Sequence, residues 1–469
     1  METAALPAVS AEIFTIPLGD GRHIIYAPLR RAAFVANAAT VNFLADLREG
    51  VCDESADPDG ALAEFLRRLE ILDASPETPP VTSFAGDPEP TSVTLFLTTA
   101  CNLRCTYCYA AAGDTPLKSM TMEVARRGID FVAANAHRKQ APEFEIAYHG
   151  GGEPSANWQV LTGSLDYGRR RAVELGLRVR ASAATNGFLN EAQLDWVIGN
   201  LDGVSLSFDG LPEVHDKHRL TVLGKGSSER VMHTIRRFDA AGFSYGLRVT
   251  VTADQIHRLP ESVEYICAHF GAQRIQVEPS YQLGRWREAP SAETEEFLAA
   301  YREARQRARH YGRDIQFSGA RLGALTNHFC GITQDSFCLS PDGNVSACYE
   351  AFSEDNPFAS TFFYGRPDAS TGGYRFELPV LNNLRRQTVD HREFCRGCFA
   401  RWTCAGDCYH KSLSVNGPGE FAGSDRCHIT RELTKDQILV RIAGSGGLVW
   451  HEPPEAGSTA PAAGKEFLL

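Results

Sequence analysis

A chain of 469 residues, 43% of them hydrophobic and 22% charged, carries enough apolar sequence for two or three buried cores. Its net charge of −11, with no stripe of basic residues, argues against a protein that neutralises a nucleic-acid backbone. No apolar run approaches the roughly 18 residues that span a bilayer. Met1–Ser10 has neither the basic start nor the apolar core of a signal peptide, so a cytoplasmic location with reduced thiols is expected.

In chain order, residues 1–85 come first. Glu12–Ile16, His23–Tyr26 and Ala33–Val35 have the texture of short strands, with Gly19-Asp20-Gly21 as a turn. Ala39–Arg48 and Gly60–Leu72 read as helices, the second with Leu62, Phe65 and Leu69 on one face. Proline-rich Ser75–Pro90 reads as a linker.

From Val93 the pattern changes to short apolar runs alternating with longer amphipathic ones. The expected strands are Val93–Thr98, Phe144–Tyr148, Val179–Ala184, Val204–Phe208, Leu247–Val251 and Arg274–Glu278. Helical stretches include Met122–His137, Glu191–Ile198, Ser228–Ala240 and Pro260–Phe270, with Ala292–His310 after the last strand. Basic runs such as Arg236–Arg237 and Arg302–Arg309 read as solvated helix faces. Six strand–helix units imply a parallel α/β sheet curled into a partial (β/α)6 barrel, with chemistry at the carboxyl ends of its strands. The motifs follow that rule. Cys101-Asn-Leu-Arg-Cys105-Thr-Tyr-Cys108 follows the first strand, Gly150-Gly151-Gly152-Glu153-Pro154 the second and Thr185-Asn186-Gly187 the third. Ser207-Phe-Asp209-Gly210 closes the fourth.

Eleven of the thirteen cysteines fall into two groups. The first is the Cys101, Cys105, Cys108 loop. The second comprises Cys330, Cys338, Cys348, Cys395, Cys398, Cys404, Cys408 and Cys427. Thiolates suit iron–sulfur clusters, and three of them leave one iron of a cuboidal cluster open for chemistry. Short-spaced cysteine pairs also serve zinc, so a non-catalytic zinc-binding scaffold stands as an alternative of another class. Cys52 and Cys267 are left over, and Cys267 reads as a small core residue.

The Cys-x3-Cys-x2-Cys loop and the motifs behind it resemble the radical S-adenosylmethionine (SAM) superfamily. The resemblance implies a 4Fe–4S cluster on Cys101, Cys105 and Cys108, with SAM on the open iron. It places Tyr107 by the adenine, Gly151, Gly152, Glu153 and Pro154 at the SAM amino group, and Ser207 at its ribose or carboxylate. Asn186 belongs to the same cofactor-binding set, and Arg230 is carried over as a carboxylate contact. Arg219, in the His215–Arg219 segment, belongs to the same basic stretch.

The later cysteines resemble the SPASM extension of that superfamily. Cys330, twelve residues, then Gly343-Asn-Val-Ser-Ala-Cys348 fits its pattern, as does Cys395-Arg-Gly-Cys398, five residues, Cys404, three residues, Cys408. The resemblance implies two auxiliary clusters, one on Cys330, Cys338, Cys348 and Cys408, the other on Cys395, Cys398, Cys404 and Cys427. With the first, that makes three 4Fe–4S clusters. The implied organisation is 1–85, a winged-helix precursor-recognition element; 86–325, the barrel; 326–435, the SPASM domain; and 436–469, a helix end and flexible tail. Gly444–Lys465 is the flexible part, Val449 and Trp450 excepted.

By resemblance, the enzyme cleaves SAM reductively to a 5′-deoxyadenosyl radical and abstracts hydrogen from a ribosomally made precursor peptide. The result is an oxidative intramolecular cross-link. The precursor's leader segment and a flavodoxin- or ferredoxin-type reductant are the implied partners. If Cys338 and Cys408 both close the first auxiliary cluster, no iron is free for a substrate thiolate, which favours a carbon-based link over a thioether. The alternative within the superfamily is an anaerobic sulfatase-maturating enzyme making formylglycine. That group places an Asp directly after the Gly-x4-Cys cysteine, where this chain has Tyr349. Tyr349, Glu350, Asp407 and His410 are the candidate bases, with Asp407 read as structural.

Overall fold

The computed structural model describes residues 8–51, 57, 60–289 and 292–452. Three short strands open the chain, β1 (Phe14–Pro17), β2 (His23–Ala27) and β3 (Ala32–Ala36), paired antiparallel in that order. Helix α1 (Ala38–Glu49) follows, with the Asn37 side chain accepting from the Thr40 N–H as its cap, and then α2 (Ala61–Arg68). Alternation along the strands gives the sheet two apolar faces. Ile25, Ala27 and Phe34 pack under α1 and α2 with Leu44, Leu47 and Leu66, whereas Ile24, Tyr26 and Ala33 pack on Leu322, Ile438 and Ile442. The second helix is shorter than the expected Gly60–Leu72, because Glu70 turns left-handed at φ 57° and ends it. Cys52 lies outside the described residues.

Six parallel strands form the next unit: β4 (Ser92–Phe96), β5 (Glu143–His149), β6 (Arg178–Thr185), β7 (Gly203–Ser207), β8 (Tyr245–Val251) and β9 (Arg274–Pro279). They neighbour one another in sequence order, as right-handed strand–helix units do. The covering helices are α3 (Met122–Arg138), α4 (Trp158–Leu175), α5 (Glu191–Asn200), α6 (Pro212–His218), α7 (Ser228–Ala241), α8 (Leu259–His269) and α9 (Thr294–His310). Three of them begin at a side-chain cap: Thr121 caps α3, Asn190 with Gln193 forms a capping box on α5, and Glu293 caps α9. Helix α4 escaped the sequence reading because Gly163 and Gly168 dilute its pattern. Gly168 is there for contact, since a Cβ would press on Ile146 of β5.

One set of alternating strand residues, among them Leu95, Ile146, Leu206, Leu247 and Val277, is buried beneath these helices in a single core. Each such side chain contributes roughly 1.5–3 kcal/mol by leaving water. The other set, including Thr94, His149, Ser205, Arg248, Gln276 and Glu278, faces the lumen and is polar.

The later chain extends this sheet. Strand β10 (Cys338–Leu339) runs parallel to β4 with Cys338 opposite Thr94. Strands β11 (Val345–Ser346), β12 (Phe363–Pro367) and β13 (Tyr374–Phe376) add antiparallel, for ten strands in all. A long helix, Asp425–Gly444, then leads to β14 (Val449–His451), which pairs antiparallel with β3. Trp450 is buried against the N-terminal sheet, so the two ends of the described chain share one core. Residues 453–469 lie outside the described residues. No helix among the described residues is long and apolar enough to cross a membrane.

Candidate active site

The loops at the carboxyl ends of β4, β5, β6 and β7 meet at one mouth, laced together mostly through backbone atoms. The Glu153 N–H donates to the Ala100 carbonyl (2.9 Å), and a Cβ at Gly152 would collide with the same oxygen. Only glycine lets the two loops approach so closely. Buried Glu153 accepts from the Asn186 N–H (2.7 Å), the Thr185 hydroxyl (2.9 Å) and the Ser155 N–H (3.2 Å). Burial raises its carboxyl above the usual range against the pull of these donors. The Asn186 amide donates to Asn102 (2.7 Å) and lies 3.6 Å from Cys101 Sγ, bringing the third motif onto the first.

Tyr107 is locked from the other side. Its hydroxyl donates to Asp209 and accepts from Arg219 (2.9 Å), and Asp209 also accepts from the Thr250 N–H (3.0 Å). Arg219 is buried next to Cys105, where its charge offsets part of the cost of ionising that thiol. The His215–Arg219 segment wraps the cysteine loop: Thr106 N–H donates to the His218 carbonyl and the Thr106 hydroxyl meets His218 Nδ1 at 2.7 Å. Ser207 stands half-buried at the end of β7. Arg230 is exposed in the first turn of α7 and is not brought into this bonded group.

Two members of the mouth had no signal in the sequence. Arg285, in the turn after β9, clamps the cysteine loop by donating to the carbonyls of Cys105 and Ala112 and to Asp114. Asn102 anchors Asn186 and donates to the Phe188 carbonyl at 3.1 Å. Arg285 lies far from any motif, and Asn102 is an unspecified position inside the cysteine loop, so only proximity reveals their roles.

The thiols of Cys101, Cys105 and Cys108 are half-buried, and burial with the nearby Cys108 makes Cys105 harder to ionise. Burial, with help from Glu153, pushes Cys101 up to about 12. The later thiols couple in two sets. Cys348 feels Cys408 and Cys330, Cys408 feels Cys330, and Cys338, pushed up to about 12 mainly by burial, also feels Cys330. Cys395 feels Cys398 and Cys427, and Cys404 feels the same two. All are free thiols, and among the described residues no three Cys, His, Asp or Glu side chains converge tightly enough for a single ion. Cys267 lies in the barrel core.

Between the mouth and the later cysteines lies a buried polar patch. Tyr349 stacks on His149 at 4.8 Å, and burial with the Arg248 charge holds His149 down at about 4, hence neutral. Glu350 lies 2.8 Å from His410 Nδ1, too oblique for a directed hydrogen bond. Burial would raise its carboxyl, but His410 and Lys411 outweigh that and hold it at about 2. Asp407 is bound by Arg426 (2.8 Å), which also pairs with Glu278 of β9 (2.9 Å). That triad joins the barrel wall to the helix carrying Cys427.

Comparison with known proteins agrees with this geometry. Residues 95–266 match the sequence profile of the Radical SAM superfamily. The sporulation killing factor maturation protein SkfB of Bacillus subtilis is 26% identical over 55% of this chain and 60% of its own length, less than two thirds of that protein. The pre-heme d1 synthase of Dinoroseobacter shibae is 28% identical over 80% of this chain and 96% of its own. The structure of anSMEcpe with bound AdoMet superposes with a TM-score of 0.59 at 16% identity, covering 76% of this chain and 96% of that one, a likeness of fold.

Proposed function

This chain is a radical SAM enzyme, and from that premise we propose that it matures a ribosomally made peptide by an oxidative intramolecular cross-link. The observation that carries the peptide reading is the N-terminal unit. Its small antiparallel sheet and two helices have their own core and precede the barrel, the layout of a precursor-recognition element. Extended peptides bind such units by adding a strand to an open edge. One edge is taken by β14, so the leader would add beside β1, whose outer edge pairs with no strand among the described residues.

When bound, a 4Fe–4S cluster with SAM supplies hydrogen-atom abstraction from an unactivated carbon. Cys101, Cys105 and Cys108 would hold that cluster. Glu153, with Asn186 fixed beside it, would take the SAM amino group, and Ser207 its ribose or carboxylate, whereas Arg230 stands outside this group on the exposed face of α7. Tyr107, pinned by Asp209 and Arg219, would bound the adenine. Cys330, Cys338, Cys348 and Cys408, and then Cys395, Cys398, Cys404 and Cys427, would hold two further clusters. Loss of two hydrogens balances as one hydrogen atom, one proton and one electron leaving the peptide, and these eight cysteines would hold clusters able to take up that electron. A flavodoxin- or ferredoxin-type protein would supply the reducing electron. With Cys330, Cys338, Cys348 and Cys408 all as ligands, no iron of the first auxiliary site would be open to a substrate thiolate, which favours a carbon-based link over a thioether.

A second reading, a haem-precursor enzyme, is favoured by the length of the match to pre-heme d1 synthase. A sulfatase-maturating role fits less well, since Tyr349 stands where that group places an Asp. Mass spectrometry of a small peptide encoded beside this gene, co-expressed with the enzyme without oxygen, tests the proposal. Loss of two hydrogens that disappears with Cys105→Ala supports it. An unchanged peptide mass counts against it and turns attention to the other two readings.

A further inference from the structure

At the amino ends of β7, β8 and β9, opposite the mouth, the structure holds a cavity of about 960 Å³. It runs from the lumen to the N-terminal sheet, with Arg248 at one end and Arg31, in the β2–β3 connection, at the other. Six arginines line it: Arg31, Arg248, Arg274, Arg305, Arg321 and Arg441. Among the described residues the carboxylates lining it are Asp314 and Glu452, engaged by Arg305 at 2.7 Å and Arg441 at 3.2 Å, while Arg321 donates to the carbonyls of Thr403, Phe329 and Cys404. In a chain of net charge −11, Arg31 and Arg248 then stand out as cations of a concave space.

Arg248 gives the field a focus. It sits on β8 between Ser207 of β7 and Gln276 of β9, and its side chain is exposed to the lumen. No carboxylate among the described residues pairs with it. Across the lumen its charge reaches His149 at the carboxyl end of β5.

We propose that this cavity binds a carboxylate-bearing peptide segment, with Arg248 anchoring one carboxylate below the site of chemistry. A guanidinium and a carboxylate form two parallel, charge-assisted hydrogen bonds, and low local dielectric strengthens them. Peptide as the bearer of the carboxylate rests on the maturase reading; the charge of the site does not. Such an anchor would fix which residue of the substrate lies under the mouth, making Arg248 a determinant of specificity.

The test uses the full-length protein reconstituted with iron and sulfide under anaerobic conditions. Binding of a dye-labelled Gly-Glu repeat peptide is compared with that of its Gly-Gln counterpart. The Gly-Glu peptide is expected to bind at least about tenfold more tightly, with the preference shrinking as salt is raised. Arg248→Gln should remove most of that preference and Arg248→Lys should keep part of it, while iron content reports whether each variant folds. Equal affinity of the two peptides for the unmutated protein would overturn the proposal, whatever the variants do. So would a preference untouched by Arg248→Gln. Arg248-dependent binding of coproporphyrin without any preference for Gly-Glu would overturn it too, in favour of a tetrapyrrole carboxylate. A Gly-Glu preference upholds the site even where no co-expressed peptide is modified, a result that would retire the maturase reading alone.

Discussion

The two ends of the barrel are built on opposite principles. At the mouth nearly every polar group is satisfied by a neighbour: Glu153 takes three donors, Asn186 and Asn102 hold each other, and Tyr107 is fixed between Asp209 and Arg219. Within the lumen below, by contrast, Arg248 faces open space, and no carboxylate among the described residues pairs with it. A satisfied shell holds a cofactor of fixed shape with little reorganisation, whereas a surplus of charge awaits a ligand that completes it. On the proposal made above, the difference separates the part of the molecule that would supply chemistry from the part that would select what the chemistry acts on.

The sharpest way to break the mouth is Cys105→Ala. We expect peptide modification and 5′-deoxyadenosine formation to fall to background, with iron content down by about four per chain. Retained 5′-deoxyadenosine formation would contradict the assignment of the loop.

The next largest effect concerns the wall between the two ends. Arg426→Met leaves Glu278 and Asp407 buried without their cation, a loss of about 3–5 kcal/mol expected from a broken buried pair. Anaerobic denaturant unfolding of the cluster-loaded protein reads this as a lower midpoint. An unchanged midpoint would mean that the triad does not join barrel and C-terminal region.

How much of this was legible beforehand differs between the ends for the same reason. The mouth is built from loops in which neighbouring residues act together, so Cys101–Cys108, Gly150–Pro154 and Thr185–Gly187 announce themselves as short motifs. The six strands were equally plain, since each carries apolar residues at alternating positions within a short run bounded by turns. The cavity has no such signature. Arg248 is one polar residue in an alternating strand, Arg31 lies in a turn more than two hundred residues earlier, and Arg441 is on the last helix. Only the fold brings them together. Arg285 and helix α4 were hidden likewise, the first by distance along the chain, the second by glycines that serve packing.

A smaller change sharpens the comparison. Glu153→Gln keeps the shape of the mouth but removes the charge offered to the SAM amino group. The loss of one charged hydrogen bond, about 1.5–3 kcal/mol, predicts SAM binding roughly ten- to a hundredfold weaker, with iron content retained. Equilibrium dialysis with labelled SAM measures it, and unaltered affinity would remove Glu153 from the cofactor shell.

The smallest expected effect is a control outside both regions. Asn190→Ala breaks the capping box of α5 and should cost about 1 kcal/mol of stability, seen as a modest drop in unfolding midpoint. SAM affinity and the Gly-Glu preference should stay as they were. A change in either would show that general loosening, not loss of a specific contact, can mimic the effects above.

The most direct measurement is a stoichiometry. The reconstituted enzyme is given SAM, dithionite and the small peptide encoded beside its gene, and 5′-deoxyadenosine is counted against peptide that has lost two hydrogens. The account predicts one 5′-deoxyadenosine for each peptide so changed. Abundant 5′-deoxyadenosine with the peptide mass unchanged would contradict it, leaving a radical SAM enzyme whose substrate is something else.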